Sequence, residues 1–145
     1  MISKMELKEV GRILGIANVG FVEKNYFHHV ILLAISREEP NLVLKGGTCL
    51  FLVYGLDRFS EGLDFSLKGP VSVEKLRMKI NSYCSRFGAK CEIKKTKSGK
   101  ETILLDVSIK GPLYTGDPMT LCNVKIDKQK LVEYTLSIVI CHLTP

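Results

Sequence analysis

No apolar stretch in this 145-residue chain approaches the roughly 20 residues that a membrane-spanning helix needs. The longest runs only from Val30 to Ile35 and is bracketed by His29 and Arg37. A secretion signal is missing too. Met1 to Leu14 carries a charge every few residues, where a signal peptide would hold an apolar block. Together these absences predict a cytoplasmic chain with no membrane partner. Histidine is scarce: His28 and His29 are helix neighbours pointing in different directions, and His142 is remote. Metal-ligand spacing is therefore absent among them, and a structural role is expected. The five cysteines, Cys49, Cys84, Cys91, Cys122 and Cys141, are odd in number and widely spread. That excludes a zinc knuckle and argues against a disulfide framework, so reduced core thiols are expected. Ser36, Ser66 and the cysteines lack a nucleophile-elbow context. Repeats, low-complexity tracts and long linkers are absent.

What remains is an ordinary globular composition, with 46% hydrophobic and 25% charged residues. The length suits one domain over residues 1–145. The formal net charge is +6. Much of the excess lies in Lys90, Lys94, Lys95, Lys97 and Lys100, and in a second group, Lys125, Lys128 and Lys130. Such a field favours polyanionic partners, including nucleotides and RNA. It equally suits strand edges kept soluble by lysine.

Helical spacing runs from Ser3 to about Ile16, with Leu7, Val10 and Leu14 on one face, and again from Glu23 to Arg37. Leu42-Val43-Leu44 reads as a buried strand stopped by Gly46-Gly47, Thr48 to Tyr54 as a helix closed by Gly55, and Leu63 to Leu67 as a strand. Ser72 caps a third clear helix with Val73, Leu76, Ile80, Tyr83 and Phe87 inward. After Gly88 the period changes to two. Cys91 and Ile93 alternate with charges, a turn follows at Lys97 to Lys100, and Ile103, Leu105, Val107 and Ile109 alternate again. Leu121 to Asp127 and Tyr134 to Cys141 complete the strands. The pattern predicts N-terminal helices over 1–40, a sheet core over 41–145, and an α/β or α+β class around one mixed sheet.

Chemistry concentrates between Leu42 and Leu67. A buried strand enters two glycines, which allow close backbone approach, and a helix then opens with unpaired N–H groups. That arrangement suits a phosphate. Lys45 adds a charge and Thr48 a hydroxyl. Arg58, Ser60 and Asp64 follow, with Asp64 on the next strand, and phosphoryl transfer needs carboxylates for divalent ions.

In order and spacing, Lys45, Gly46, Gly47, Thr48, Leu50, Tyr54, Gly55, Arg58, Ser60, Leu63, Asp64 and Phe65 resemble the signature of the AbiEii/AbiGii-type nucleotidyltransferase toxins. These belong to type IV toxin–antitoxin and abortive-infection systems. Glu23-Lys24-Asn25-Tyr26, Gly111-Pro112-Leu113 and Lys125-Ile126-Asp127 resemble further blocks of that family. The resemblance implies a DNA polymerase β-like nucleotidyltransferase fold, a mixed sheet flanked by helices. It implies transfer of a nucleoside monophosphate from a nucleoside triphosphate with Mg2+, to an acceptor such as a tRNA 3′ end, and a cognate antitoxin as partner. Gly46, Gly47 and Thr48 would hold phosphates, with Lys45 or Arg58 neutralising charge. Ser60 would bond a phosphate oxygen or orient a carboxylate. Asp64 and Asp127 would be metal ligands. Asp106 is the alternative to Asp127, although its plainer reading is an exposed residue on a half-buried hairpin.

Two departures qualify that expectation. The family's first metal aspartate falls at position 62, where this chain has Gly62. Positions 62 and 64 share one strand face, and Glu61 falls on the other. Weakened or absent transfer is therefore expected, leaving a nucleotide- or RNA-binding pseudoenzyme, or an antitoxin-binding remnant, as the alternative. Relatives also continue into a C-terminal helical region, expected to be absent from this chain through truncation or fragmentation.

Overall fold

The computed structural model describes residues 1–98 and 102–130. Helix α1, Lys4–Leu14, opens on a reciprocal cap: Glu6 N–H donates to Ser3 Oγ at 3.2 Å and Ser3 N–H to a Glu6 carboxylate oxygen at 2.7 Å. Gly15 ends it in the left-handed region at φ 69°. The expected inner face is reduced to Leu7 and Gly11, because α1 packs on α2 from the periphery. Leu14 is 51% exposed, which corrects its place in the stripe.

Helix α2, Val19–Glu38, begins four residues before the expected Glu23, since Asn18 caps Gly20 and Phe21. Its buried residues surround the axis and include Glu23, Asn25 and His28 as well as Phe27, Val30, Ile31 and Ile35. A helix apolar on all sides is a central one. It packs against α4, Val73–Arg86, which Ser72 caps and whose Leu76, Ile80, Tyr83 and Cys84 point inward.

Both helices cover one face of a five-stranded sheet. The strands are β1 (Leu42–Lys45), β2 (Gly62–Leu67), β3 (Lys90–Ser98), β4 (Thr102–Lys110) and β5 (Cys122–Lys130), in the order β1-β2-β5-β4-β3. β2 and β5 are parallel and every other pair is antiparallel. The class is α+β with a mixed sheet. Helix α3, Gly46–Tyr54, joins β1 to β2, yet those strands run antiparallel. The parallel pair comes instead from residues far apart in the chain. Leu63, Phe65, Leu105, Val107, Val124 and Ile126 point to the helices and are 0% exposed.

Lys128 lies on that same side of β5, opposite Phe65, and is also 0% exposed. It is therefore no part of a solvated lysine edge, because the alternation that buries Val124 and Ile126 buries position 128 as well. Cys84, Cys91 and Cys122 carry free thiols. Cys49 corrects the expectation of reduced cysteines, being disulfide-bonded; sequence spacing does not reveal which thiols a fold brings together. The strand expected over Tyr134 to Cys141 lies outside the described residues.

Two distant sequence blocks meet at the start of α2. Glu23 is 3% exposed and its Oε1 accepts from Leu113 N–H at 2.8 Å. Burial pushes its carboxyl up, and the Leu113 N–H partly offsets that. Gly111 is what permits the contact: a Cβ there would stand 2.5 Å from Glu23 Oε1 and 2.7 Å from Phe27 Cε2. Neither neighbour is free to retreat, so Gly111→Ala is expected to destabilise by roughly 1–3 kcal/mol. Urea unfolding measures it, and an unchanged midpoint would show that the loop gives way.

Candidate functional site

The face of the sheet turned away from α2 and α4 carries the chemistry. β1 ends at Lys45, an extended residue that caps α3 without a side-chain hydrogen bond. The first-turn N–H groups of a helix have no intrahelical partners, and here no side chain takes them. Gly46 follows at φ 71°, in the left-handed region that favours glycine. A Cβ on Gly46 would lie 2.6 Å from Asp64 Oδ2, and one on Gly47 would lie 3.0 Å from Ser60 Oγ. The turn, Ser60 and Asp64 thus form one packed unit, because the two glycines have no side chains to hold them apart.

Thr48 has another task. It is fully buried and its hydroxyl donates to the Gly62 carbonyl, tying α3 to β2. Its side chain is not available to a phosphate, which corrects that part of the expectation. Only its backbone N–H is left for the role.

Parallel pairing sets Asp64 directly beside Asp127, with backbones about 4.8 Å apart. Side chains of register partners project to the same face, so the two carboxylates stand together. Burial, then the negative charge of Asp127, raises the Asp64 carboxyl above its usual range, while Lys45 opposes the shift. Lys45 is the register partner of Asp64 on β1. Asp127 Oδ1 is buried and accepts no hydrogen bond from the described residues. Its Oδ2 accepts from Gln129 Nε2 at 3.3 Å, and Gln129 Oε1 accepts from Lys45 Nζ at 3.2 Å. A repelling carboxylate pair with one orphaned buried oxygen fits a divalent cation, and two carboxylates plus phosphate oxygens and water suit Mg2+. Among the described residues no three acidic, histidine or cysteine side chains are placed to surround a metal ion. The set stops at two.

One row along the strands, Gly62 pairs with Lys125, which pairs in turn with Asp106. Asp106 therefore faces the same side as Asp64, but beside the glycine rather than beside the carboxylate. Nothing stands closer than 3.5 Å to a Cβ built on Gly62, its nearest neighbour being the Lys125 carbonyl. Glu61 does not fill the gap. Its carboxylate bonds Lys24 Nζ at 2.5 Å, and its carbonyl lies 3.3 Å from His28 Nε2. Arg58 sits in the exposed loop before β2, away from the carboxylate pair.

Gln129 and His28 carry roles that the residue pattern did not single out. Period two from Asp127 already places Gln129 on the acidic face, so its signal was present. His28 gave none, because its partners, Glu61 and the stacked ring of Phe59 at 5.8 Å, are remote in sequence.

The sequence profile described as nucleotidyl transferase AbiEii toxin, type IV TA system, matches residues 30–128, more than half of the chain. The chain belongs to that family. The match includes the Gly46–Gly47 turn, β2 and β5 through Asp127, so the AbiEii pattern covers every residue of the packed unit. Two solved structures, both from Helicobacter pylori, share the fold. One, assigned as a nucleotidyltransferase, is 23% identical with a TM-score of 0.60, covering 73% of this chain and 43% of that one. The other, JHP933, is 22% identical with a TM-score of 0.64, covering 83% and 49%. The chain thus spans under half the length of either. No curated protein matches it.

Proposed function

We propose that this AbiEii-family chain binds a nucleoside triphosphate at the Gly46–Gly47 turn, beside a carboxylate pair whose nucleotidyl transfer is weakened or lost through Gly62. The observation that carries the reading is the contact of Gly46 with Asp64, itself paired with Asp127. The α3 N–H groups and Lys45 would hold phosphate oxygens, with Ser60 against the turn. Arg58 would reach in from its loop. Asp64 and Asp127 would hold Mg2+, which when bound neutralises phosphate charge and polarises the bond to be broken. Gln129 keeps Asp127 turned toward Asp64. The acceptor is a hydroxyl such as a tRNA 3′ end, and the partner a cognate antitoxin, in keeping with the family.

Retained binding without transfer is the second reading, favoured by the single observation that position 62 supplies no ligand. Calorimetric titration with each triphosphate, with and without Mg2+, tests the shared part of both. Mg2+ is expected to strengthen binding, and Asp64→Asn and Asp127→Asn to remove most of that gain, at least about tenfold for one lost charge near a bound cation. Equal affinities for all three proteins, or no binding at all, would reject the site and leave antitoxin binding as the function.

A further inference from the structure

A groove of about 600 Å³ opens over Gly62, lined by Lys24, Glu61, Lys94, Asp106, Ser108, Asn123 and Lys125. Its floor at Gly62 is bare backbone. Three lysines and two carboxylates line it. Lys24 is taken up by Glu61 at 2.5 Å, with its side chain only 17% exposed. Lys94 reaches Glu92 at 3.3 Å, but both side chains are at least 70% exposed, so that pair is weakly held. Lys125 is exposed, stands across the ladder from Gly62, and forms no ion pair with the described residues. Its charge reaches the groove, where it helps hold Glu61 ionised. An aspartate at 62 would have made the charge count even. The glycine leaves one cation in excess, beside a cavity with room for a small polyanion.

We infer that the groove over Gly62 is a metal-independent phosphate site, with Lys125 as its principal cation and Lys94 as a mobile second. It takes the phosphate chain of a nucleotide or an inorganic polyphosphate. The site is separate from the turn at Gly46, because the Asp64–Asp127 row lies between them, and it does not require that the chain catalyse transfer.

The test is titration of the full chain with inorganic triphosphate, and separately with a nucleoside triphosphate, in excess EDTA. Binding is expected in both arms and should weaken with added salt. Equal affinities assign recognition to the phosphates alone; tighter binding of the nucleotide assigns it to the nucleotide. Lys125→Glu is expected to weaken either by about tenfold, and Lys125→Gln by about threefold, since position 125 is exposed and one charge is removed or reversed nearby. Gly62→Asp should weaken metal-free binding by a similar factor while strengthening the Mg2+-dependent part. Lys75→Glu, an exposed change of equal charge on α4, should leave affinity within about twofold. No binding in EDTA, or equal losses from Lys125→Glu and Lys75→Glu, overturns the inference. Loss of the Mg2+-dependent part alone counts against the carboxylate site and leaves this one standing.

Discussion

Gly62→Asp is expected to raise nucleotidyl transfer on the order of 10²- to 10³-fold over the native chain. A metal-bound phosphoryl group gains several kcal/mol of charge stabilisation, and each 1.4 kcal/mol or so is tenfold in rate. The backbone is already suitable. Gly62 pairs with Lys125 in the same ladder that sets Asp64 beside Asp127, and the nearest atom to a new Cβ is 3.5 Å away, an ordinary contact. The added carboxylate would lie on the face of Asp64, one row back. Label from an α-labelled triphosphate appearing on RNA measures the gain, with Gly62→Asp/Asp64→Asn as the paired control. Equal inactivity of native and Gly62→Asp chains toward RNA, protein and small-molecule acceptors would remove Gly62 as the explanation.

The second large effect is acid lability through His28. Burial pushes its imidazole down to about 4 from 6.5, aided by the positive charge of Lys24 and the nearby His29; the Glu61 carbonyl and the Glu61 charge act in the opposite sense. The folded pKa lies below the unfolded one, so the unfolded chain takes up the proton first as pH falls. Stability attributable to His28 is therefore complete above about pH 6.5 and declines toward pH 4, by roughly 3 kcal/mol in all. Glu23 and Asp64, whose carboxyls are raised, work in the opposite direction over the acid end of the range. Urea unfolding at a series of pH values isolates the histidine when repeated on His28→Gln, which retains a donor for the Glu61 carbonyl but does not titrate. The variant is expected to start less stable at pH 7 and to lose far less on acidification. Parallel curves for the two proteins would rule the imidazole out as the cause.

Much of this site was legible in the residues because its parts are local. Gly46, Gly47 and Asp64 lie within one strand-turn-helix-strand segment, where φ freedom at glycine and period two on a strand say which groups meet. Asp127 is different. Its relation to Asp64 depends on a parallel pairing between residues 62–67 and 125–130, and alternation supplied only its face. Asp106 shares that face, and the ladder register alone separates the two: one stands beside Asp64, the other beside Lys125 and Gly62's row. Thr48 shows the converse error. A hydroxyl after two glycines suits a phosphate locally, yet the carbonyl of Gly62 takes it.

By itself, the order of residues determined the helices, their caps, the two-period strands, the Gly46–Gly47 turn and the loss of a ligand at 62, since each follows from backbone sterics or side-chain chemistry over a few positions. Only the tertiary structure decided that Asp127 joins Asp64, that Gln129 bridges Asp127 to Lys45, that Lys128 is buried, and that Lys125 faces an open groove. Those outcomes depend on which strands become neighbours and in what register. That choice is made by burying the whole apolar face at once, and no short window of sequence contains it.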